Sequence, residues 1–381
     1  MNLLVVTQDF PPEIGGIQTY SWEIGHRLAA HGINLRLIAP KHPSANAFDQ
    51  QASFPIIRVT GRPDLLPLTA LGTVATQARQ LRPDVAFHTQ WQTVVASILA
   101  RKLTGWPRQI ACAAHGRELL FNPLTRKLKL GFTYDAFRRW VVSHVDAFFP
   151  VSHYTAGLLL ELGVSNNRIC VVPNGTDPDR FHPRDGEALR RRLGLAQHPV
   201  LLTVGRVVPR KGIDTVLHAL PAIAADMPNV TYLVAGTGPD RSRLEHLANH
   251  LEVLDAVHFL GQVPNEDLAA YYSAADLFVM PAREVRPDVE GFGLVFLEAN
   301  ACGTPVVGTN TGGIPDAITD GITGALIPPG SPEALSATVT RLLSNPDKLS
   351  QLGEQGRRRV LDTANWDHVA SVLLHHLSVL G

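Results

Sequence analysis

Lysine is scarce in this chain of 381 residues, with six lysines against 28 arginines. Each lysine position is therefore informative, and Lys211 stands alone between Lys129 and Lys348. Cysteine is scarcer still. Cys112, Cys170 and Cys302 are odd in number, far apart and set among apolar residues, and no C-x-x-C pair occurs. Neither a disulfide framework nor a zinc site is thereby indicated, and a reducing, cytoplasmic compartment is the simplest reading. No apolar run approaches the roughly 18 residues that a spanning helix needs. The N-terminus enters a short apolar run without a basic leader, so no signal peptide is expected. Excess charge is also missing: 34 basic and 34 acidic residues leave a formal net charge of zero, which makes no case for nucleic acid as a partner. What remains, 45% apolar and 18% charged, is a globular composition. The chain is long enough for two domains.

What is present is an α/β grammar. Leu3–Thr7 is a short apolar run ending in a Pro-Pro and Gly-Gly turn, after which Ile17, Tyr20, Ile24 and Leu28 recur at helical spacing. A second apolar run, Leu35–Ala39, follows. The same order returns half a chain later. Val200–Gly205 leads to a turn at Pro209–Gly212, and Ile213, Val216, Leu217, Leu220 and Ile223 then mark a helix face. Thr231–Ala235, Leu277–Met280 and Pro305–Gly308 fit central parallel strands. Two such starts predict two open parallel α/β halves, each with helices on both sheet faces. The turn formers Pro173-Asn174-Gly175-Thr176-Asp177-Pro178 mark the boundary. Trp366, Val369, Val372, Leu373 and Leu377 share one face of a closing helix.

The most informative stretch reads Glu290-Gly291-Phe292-Gly293-Leu294-Val295-Phe296-Leu297-Glu298. Gly291 and Gly293 let the backbone approach a ligand with bare N–H groups, at a helix start that attracts anions. Carboxylates eight residues apart are expected on roughly one side of that helix. Paired carboxylates beside an anion site suit a ligand carrying both phosphates and hydroxyls, such as a nucleotide sugar. A surface loop with two solvated glutamates satisfies the same spacing. The longer string, E-x7-E enclosing G-F-G-L and running into L-E-A-x-A-C-G-x-P-V, resembles the retaining family 4 glycosyltransferases.

This resemblance covers nearly the whole chain. It implies an α/β fold of GT-B architecture, two Rossmann-like domains facing across a deep cleft. Residues 1–173, with a closing helix at 363–381 that crosses back, would bind the acceptor, and residues 174–362 the nucleotide sugar. By the same resemblance Glu290 contacts the transferred sugar and Glu298 holds the nucleotide ribose, with Gly291, Phe292, Gly293, Leu294 and Val295 lining the donor between them. The G-R-x-x-x-x-K-G pattern at 205–212 matches the family's diphosphate clamp, which assigns Arg206 and Lys211 to the phosphates. Taken alone, such a pair is more often ordinary surface charge. Gly15 and Gly16 match a glycine turn that meets the donor phosphate from the other side. The His115-Gly116 pair matches the family's histidine beside the transferred sugar, although a lone histidine at a strand end is more often structural. In the loop Gly261-Gln262-Val263-Pro264, Val263 would read the base largely through backbone.

Several rival readings fall away. Asp177-Pro178-Asp179 spells D-x-D, the metal motif of a different glycosyltransferase fold. Its neighbours place it in the interdomain connection, and clamp cations can replace a metal's charge, so neither metal nor cofactor is expected. Ala235-Gly236-Thr237-Gly238 lacks the third glycine of a dinucleotide fingerprint, which falls at Arg241, and this disfavours an NAD-dependent dehydrogenase. A nucleotide-sugar epimerase on the same fold is opposed by the E-x7-E string. A non-catalytic nucleotide-sugar-binding scaffold is opposed by the joint presence of His115, Arg206, Lys211, Glu290 and Glu298. From Arg117 to His144, the cations Arg126, Lys127, Lys129, Arg138 and Arg139 interleave with apolar and aromatic residues. Such a stretch either lies on an anionic membrane surface or packs as a partly solvated helix on its own domain. The lipid-linked acceptors of several family members favour the membrane.

The expectation is therefore a hexosyltransferase that moves a sugar from a nucleoside diphosphate donor to a hydroxyl of a glycan or lipid-linked acceptor, peripheral on the cytoplasmic face. Arg283–Val289, longer than in many relatives, resembles the phosphatidylinositol mannosyltransferases and ranks GDP-mannose ahead of UDP-glucose and UDP-N-acetylglucosamine.

Overall fold

Leu3, Leu4, Val5 and Val6 are each at most 2% exposed, the burial of a strand covered on both faces. That strand, β1 (Asn2–Val6), lies inside a six-stranded parallel sheet with β2 (Asn34–Pro40), β3 (Ile56–Val59), β4 (Val85–His88), β5 (Gln109–Ala114) and β6 (Ala147–Pro150). The order is β3-β2-β1-β4-β5-β6. This is a computed structural model, and it describes residues 1–61, 66–122, 128–195 and 197–380, with backbone only at 128–132.

A second parallel sheet joins β7 (Val200–Val204), β8 (Thr231–Ala235), β9 (Val257–Gly261), β10 (Leu277–Val279), β11 (Val306–Thr309) and β12 (Gly324–Ile327). Its order is β12-β11-β10-β7-β8-β9. Counted from its own first strand, each sheet has that strand flanked by its second and its fourth. Val5 is registered against Leu37 of β2 and Phe87 of β4, and Leu202 against Leu233 of β8 and Phe278 of β10. The winding reverses between β1 and β4 and between β7 and β10. In open α/β sheets, ligands bind at the carboxyl ends of the strands beside such a reversal.

The apolar runs named above are these strands, and the helical spacings are helices Gly16–Ala30, Ile213–Asp226 and Trp366–Leu380. Val216, Leu217, Leu220 and Ile223 pack with Leu201, Tyr232, Val234 and Val279 in one buried cluster. Packing requires a glycine at 236. Its φ is +146°, and a Cβ there would lie 1.8 Å from the carbonyl oxygen of Gly205. The Ala235–Gly238 turn thus serves the close approach of β7 and β8.

Contacts divide the chain into Met1–Asn174 with Trp366–Gly381, and Gly175–Asn365. Within the first unit the terminal helix packs on helix Gly16–Ala30. Trp366, Val369, Ala370, Leu373 and Leu377 are its buried stripe, and the Trp366 ring stands edge-on to Tyr20 at 6.0 Å.

Candidate functional site

In the second unit, Lys211 marks the reversal between β7 and β10. It ends the short turn Pro209–Lys211 that leads into helix Ile213–Asp226. Its ammonium lies 2.6 Å from Glu290 Oε2 and 3.3 Å from Met280 Sδ, one residue past β10. The same carboxylate oxygen accepts from Arg210 Nη1 at 2.5 Å. Glu290 is only 13% exposed in its side chain, and Lys211 9%. Burial alone would raise the Glu290 carboxyl, but Lys211 and Arg210 overcome it and hold it at about 2. Burial pulls the Lys211 ammonium below its ordinary range, and Glu290 opposes that pull. Lys211 also feels the charge of Glu298. The result is a largely buried set of two cations and one anion with a net charge of +1, whose cations can be handed to a stronger anion.

Glu290 does not share a helix with Glu298. Helix Leu294–Ala301 begins only after Gly293, and Glu290 stands in the loop before it. The eight-residue spacing is therefore not a helical one. Gly293 takes φ +94° at the N-cap, where a Cβ would meet the Phe296 ring at 2.7 Å. Phe292 is buried, and Gly291, Leu294 and Val295 are half-buried around the helix start. That start has no side-chain cap and no acidic residue in its first turn. By contrast, helices His153–Glu161, Gly186–Arg192, Pro332–Leu343 and Pro346–Asp362 are capped by Ser152, Asp185, Ser331 and Asn345. A helix start lacking both is open to an external anion.

Glu298 is oriented by the buried phenol of Tyr272, which donates to its Oε2 at 2.7 Å. Burial raises the Glu298 carboxyl, and this hydrogen bond, with Arg180 and Lys211, counters the rise. We expect Tyr272→Phe to weaken nucleotide binding about tenfold while changing kcat little. A hydrogen bond to a charged group contributes about 1.5–3 kcal/mol, and the family resemblance would put Glu298 on the ribose, away from the reacting bond. Titration calorimetry with the nucleoside diphosphate checks it. A kcat loss at unchanged affinity would refute it.

Other expected residues are less engaged. Arg206 is exposed and has no partner among the described residues, so Arg210 is the guanidinium that meets Glu290. Val263 lies in the loop beyond β9, two strands from β7 in the sheet order. Asp177 forms a turn in which its Oδ1 accepts the N–H of Asp179 at 2.9 Å.

In the first unit, Gly15 is the N-cap of helix Gly16–Ala30, which also lacks a side-chain cap and an acidic first turn. His115 follows β5. Burial lowers its imidazole to about 4, against a backbone hydrogen bond with Thr89, so the ring is neutral near neutral pH. Its Nε2 is buried with no partner, and its ring stands edge-on to Tyr20 at 4.9 Å. Glu118 Oε1 accepts the N–H groups of His115 at 2.6 Å and Gly116 at 3.2 Å, which fixes the turn.

The stretch 117–144 is only partly as expected. Arg126 and Lys127 lie outside the described residues, as does the side chain of Lys129. Arg138 is not a surface cation. It is 8% exposed and spends its guanidinium on Leu119 O at 2.5 Å and Asp135 Oδ1 at 2.7 Å. Phe137 and Trp140, in contrast, are about two-fifths exposed, at 41% and 40%, and stack at 6.0 Å. Among the described residues, no helix is long and apolar enough to cross a membrane.

Sequence reasoning passed over Arg210, Tyr272 and Glu118. Arg210 adjoins Lys211, and Glu118 has the spacing of a residue that reaches back to cap its own turn. Tyr272 lies 26 residues before Glu298 and carries no local signal.

The family model Glycosyltransferase Family 4 matches residues 14–180, and Glycosyl transferases group 1 matches residues 185–359. A GDP-mannose-dependent alpha-(1-6)-phosphatidylinositol monomannoside mannosyltransferase of Mycolicibacterium smegmatis is 34% identical over 376 residues, spanning 96% of this chain and 95% of its own. A D-inositol 3-phosphate glycosyltransferase of Geodermatophilus obscurus is 40% identical over 404 residues, spanning 95% and 84%. Among solved structures, Anabaena HepE in complex with UDP superposes with a TM-score of 0.82 at 19% identity, covering 100% of both chains. The fold recurs there in full.

Proposed function

This chain belongs to glycosyltransferase family 4 and has the GT-B fold, and from that premise we propose that it moves a mannosyl unit from GDP-mannose to a hydroxyl of a lipid-borne acceptor, with retention of anomeric configuration. The observation that carries the transfer reading is the Lys211–Glu290–Arg210 cluster beside the uncapped start of helix Leu294–Ala301. Two cations and a set of free N–H groups match a leaving diphosphate, and preorganised charge of this kind is often the largest catalytic term. Arg206 adds a third cation from the end of β7. Glu290, released from the cations as they take the phosphates, turns its carboxylate to the sugar hydroxyls. Glu298, held by Tyr272, takes the ribose. His115, neutral and with Nε2 unpartnered, has one hydrogen bond to give or to take as its tautomer requires.

The mannosyl donor and the lipid acceptor are supported by the names of full-length relatives, among them the Mycolicibacterium enzyme. The exposed Phe137–Trp140 stack beside exposed Arg139 supports peripheral contact with an anionic membrane on its cytoplasmic side. The donor phosphates are neutralised by side-chain cations rather than by a divalent ion.

The test has two stages. GDP, UDP and their mannose, glucose and N-acetylglucosamine conjugates are compared as thermal stabilisers, with magnesium and with EDTA. Radiolabelled donor is then offered to vesicles containing phosphatidylinositol mannoside, and the anomeric configuration of the product is assigned by NMR. We expect GDP and GDP-mannose to stabilise equally in EDTA and an α-linked product. A response to UDP conjugates alone would replace the donor, and a response only with magnesium would overturn the metal-free clamp.

A further inference from the structure

At the other reversal, between β1 and β4, polar side chains gather at the carboxyl ends of the first unit's strands. Gln90, two residues past β4, is 3% exposed, and Glu118, just past β5, is 7% exposed. Gln90 Nε2 donates to Asp9 Oδ2 at 2.6 Å, and Gln18 Nε2 donates to Asp9 Oδ1 at 3.2 Å. Trp91, next to Gln90, donates from Nε1 to the Glu118 carbonyl at 2.9 Å, and Asp9 and Glu118 lie close enough to feel each other's charge. Each of the two buried side chains has one polar atom in use, Gln90 Nε2 and Glu118 Oε1, and one left over. Gln90 Oε1 and Glu118 Oε2 are buried and have no hydrogen-bond partner.

A bare buried acceptor costs about 1–3 kcal/mol, more for a charged group, so these two oxygens call for donors. A hard cation is the weaker candidate, because it gathers six or more oxygens. Here both Asp9 oxygens and Glu118 Oε1 already accept N–H groups, which leaves two. Two bare acceptors on neighbouring strand ends match two hydroxyls of one ring.

We propose that Gln90 Oε1 and Glu118 Oε2 form the acceptor-reading pair of the enzyme, each accepting a hydrogen bond from a hydroxyl of a cyclic polyol or sugar ring. The inference rests on the transferase reading above and adds the acceptor's class to it. Glu118 has two duties divided between its oxygens, with Oε1 holding the His115 turn and Oε2 reading the ring. The pair rejects an acceptor lacking either hydroxyl, because the bare oxygen is then buried unpaired.

The probe is octyl α-mannoside with its monodeoxy derivatives, assayed in the full chain with GDP-mannose. Gln90→Met removes one oxygen at similar volume, and Glu118→Gln keeps an oxygen for the His115 and Gly116 N–H groups while replacing Oε2 by NH2. Each is expected to raise KM for octyl mannoside about tenfold to a hundredfold, with the donor's KM little moved. The wild type should lose a similar factor on one monodeoxy derivative for each variant, and that variant should lose nothing further on it. A purely structural role predicts equal losses on every derivative and a parallel rise in the donor's KM, and either result overturns the proposal. A wild type that hydrolyses its donor but glycosylates none of the probes also overturns it. A wild type that does neither overturns the transferase reading, and the acceptor pair with it.

Discussion

Lys211→Ala is expected to abolish the thermal response to GDP and to lower transfer by about a hundredfold to a thousandfold, the usual loss when one preorganised charge donor is removed from a developing anion. The magnitude follows from where the ammonium sits. It is buried against Met280 Sδ at the strand reversal, so it interacts through little water, and its Coulomb energy is correspondingly larger than that of a surface lysine. Substitution leaves Glu290 paired with Arg210 alone, so the carboxyl rises from about 2 but keeps one counter-charge, and the fold should survive. Retained cooperative unfolding, with the GDP response gone, separates a lost clamp from a lost fold. Lys211→Arg is not expected to rescue, because a planar fork cannot occupy the space of a compact ammonium. If Lys211→Ala keeps the full GDP response and transfers within tenfold of the parent, the clamp is elsewhere.

How much of this was legible in the sequence depended on the range of the interaction. The strands were readable because burial on both faces demands continuous apolar runs such as Leu3–Val6 and Thr231–Ala235. The glycine turns were readable because Gly15 and Gly293 stand between a strand and a helix. The relation of Glu290 to Glu298 was misread because spacing was taken as helical, whereas the left-handed Gly293 delays the helix to Leu294. Arg138 was misread for a related reason. A helix's composition says how many cations it carries but not which of them turns inward to satisfy carbonyl groups, as this one does at Leu119. Tyr272 could not be found at all, since its bond to Glu298 exists only once helix Leu268–Ala274 and helix Leu294–Ala301 are packed side by side. Motif strings pick out the residues that spell them; they are silent on residues elsewhere in the chain, such as Tyr272, that orient those residues.

Glu290→Gln should split binding from catalysis in opposite directions. The Glu290 carboxylate occupies both cations, so on the proposed reading an arriving diphosphate displaces it and is repelled by it. The amide keeps the shape and removes the charge, and GDP is expected to bind several-fold tighter near neutral pH, since like charges at close range oppose one another. Transfer should nonetheless fall by about a hundredfold or more, because the carboxylate proposed to meet the sugar as positive charge develops there is gone. The pH dependence carries a second signature. Glu290 is held at about 2, so in the parent its charge is constant through the neutral and alkaline range. Lys211 is already pulled down by burial and supported by Glu290; without that support its ammonium gives up its proton at lower pH. A cation whose value falls loses its charge as pH rises, so the tighter GDP binding of the variant should fade on going alkaline sooner than the parent's does. Calorimetric titration of GDP across pH, set beside kcat for transfer, tests both signs at once. Weaker GDP binding at neutral pH together with unchanged transfer would mean that Glu290 only buttresses the two cations and never leaves them.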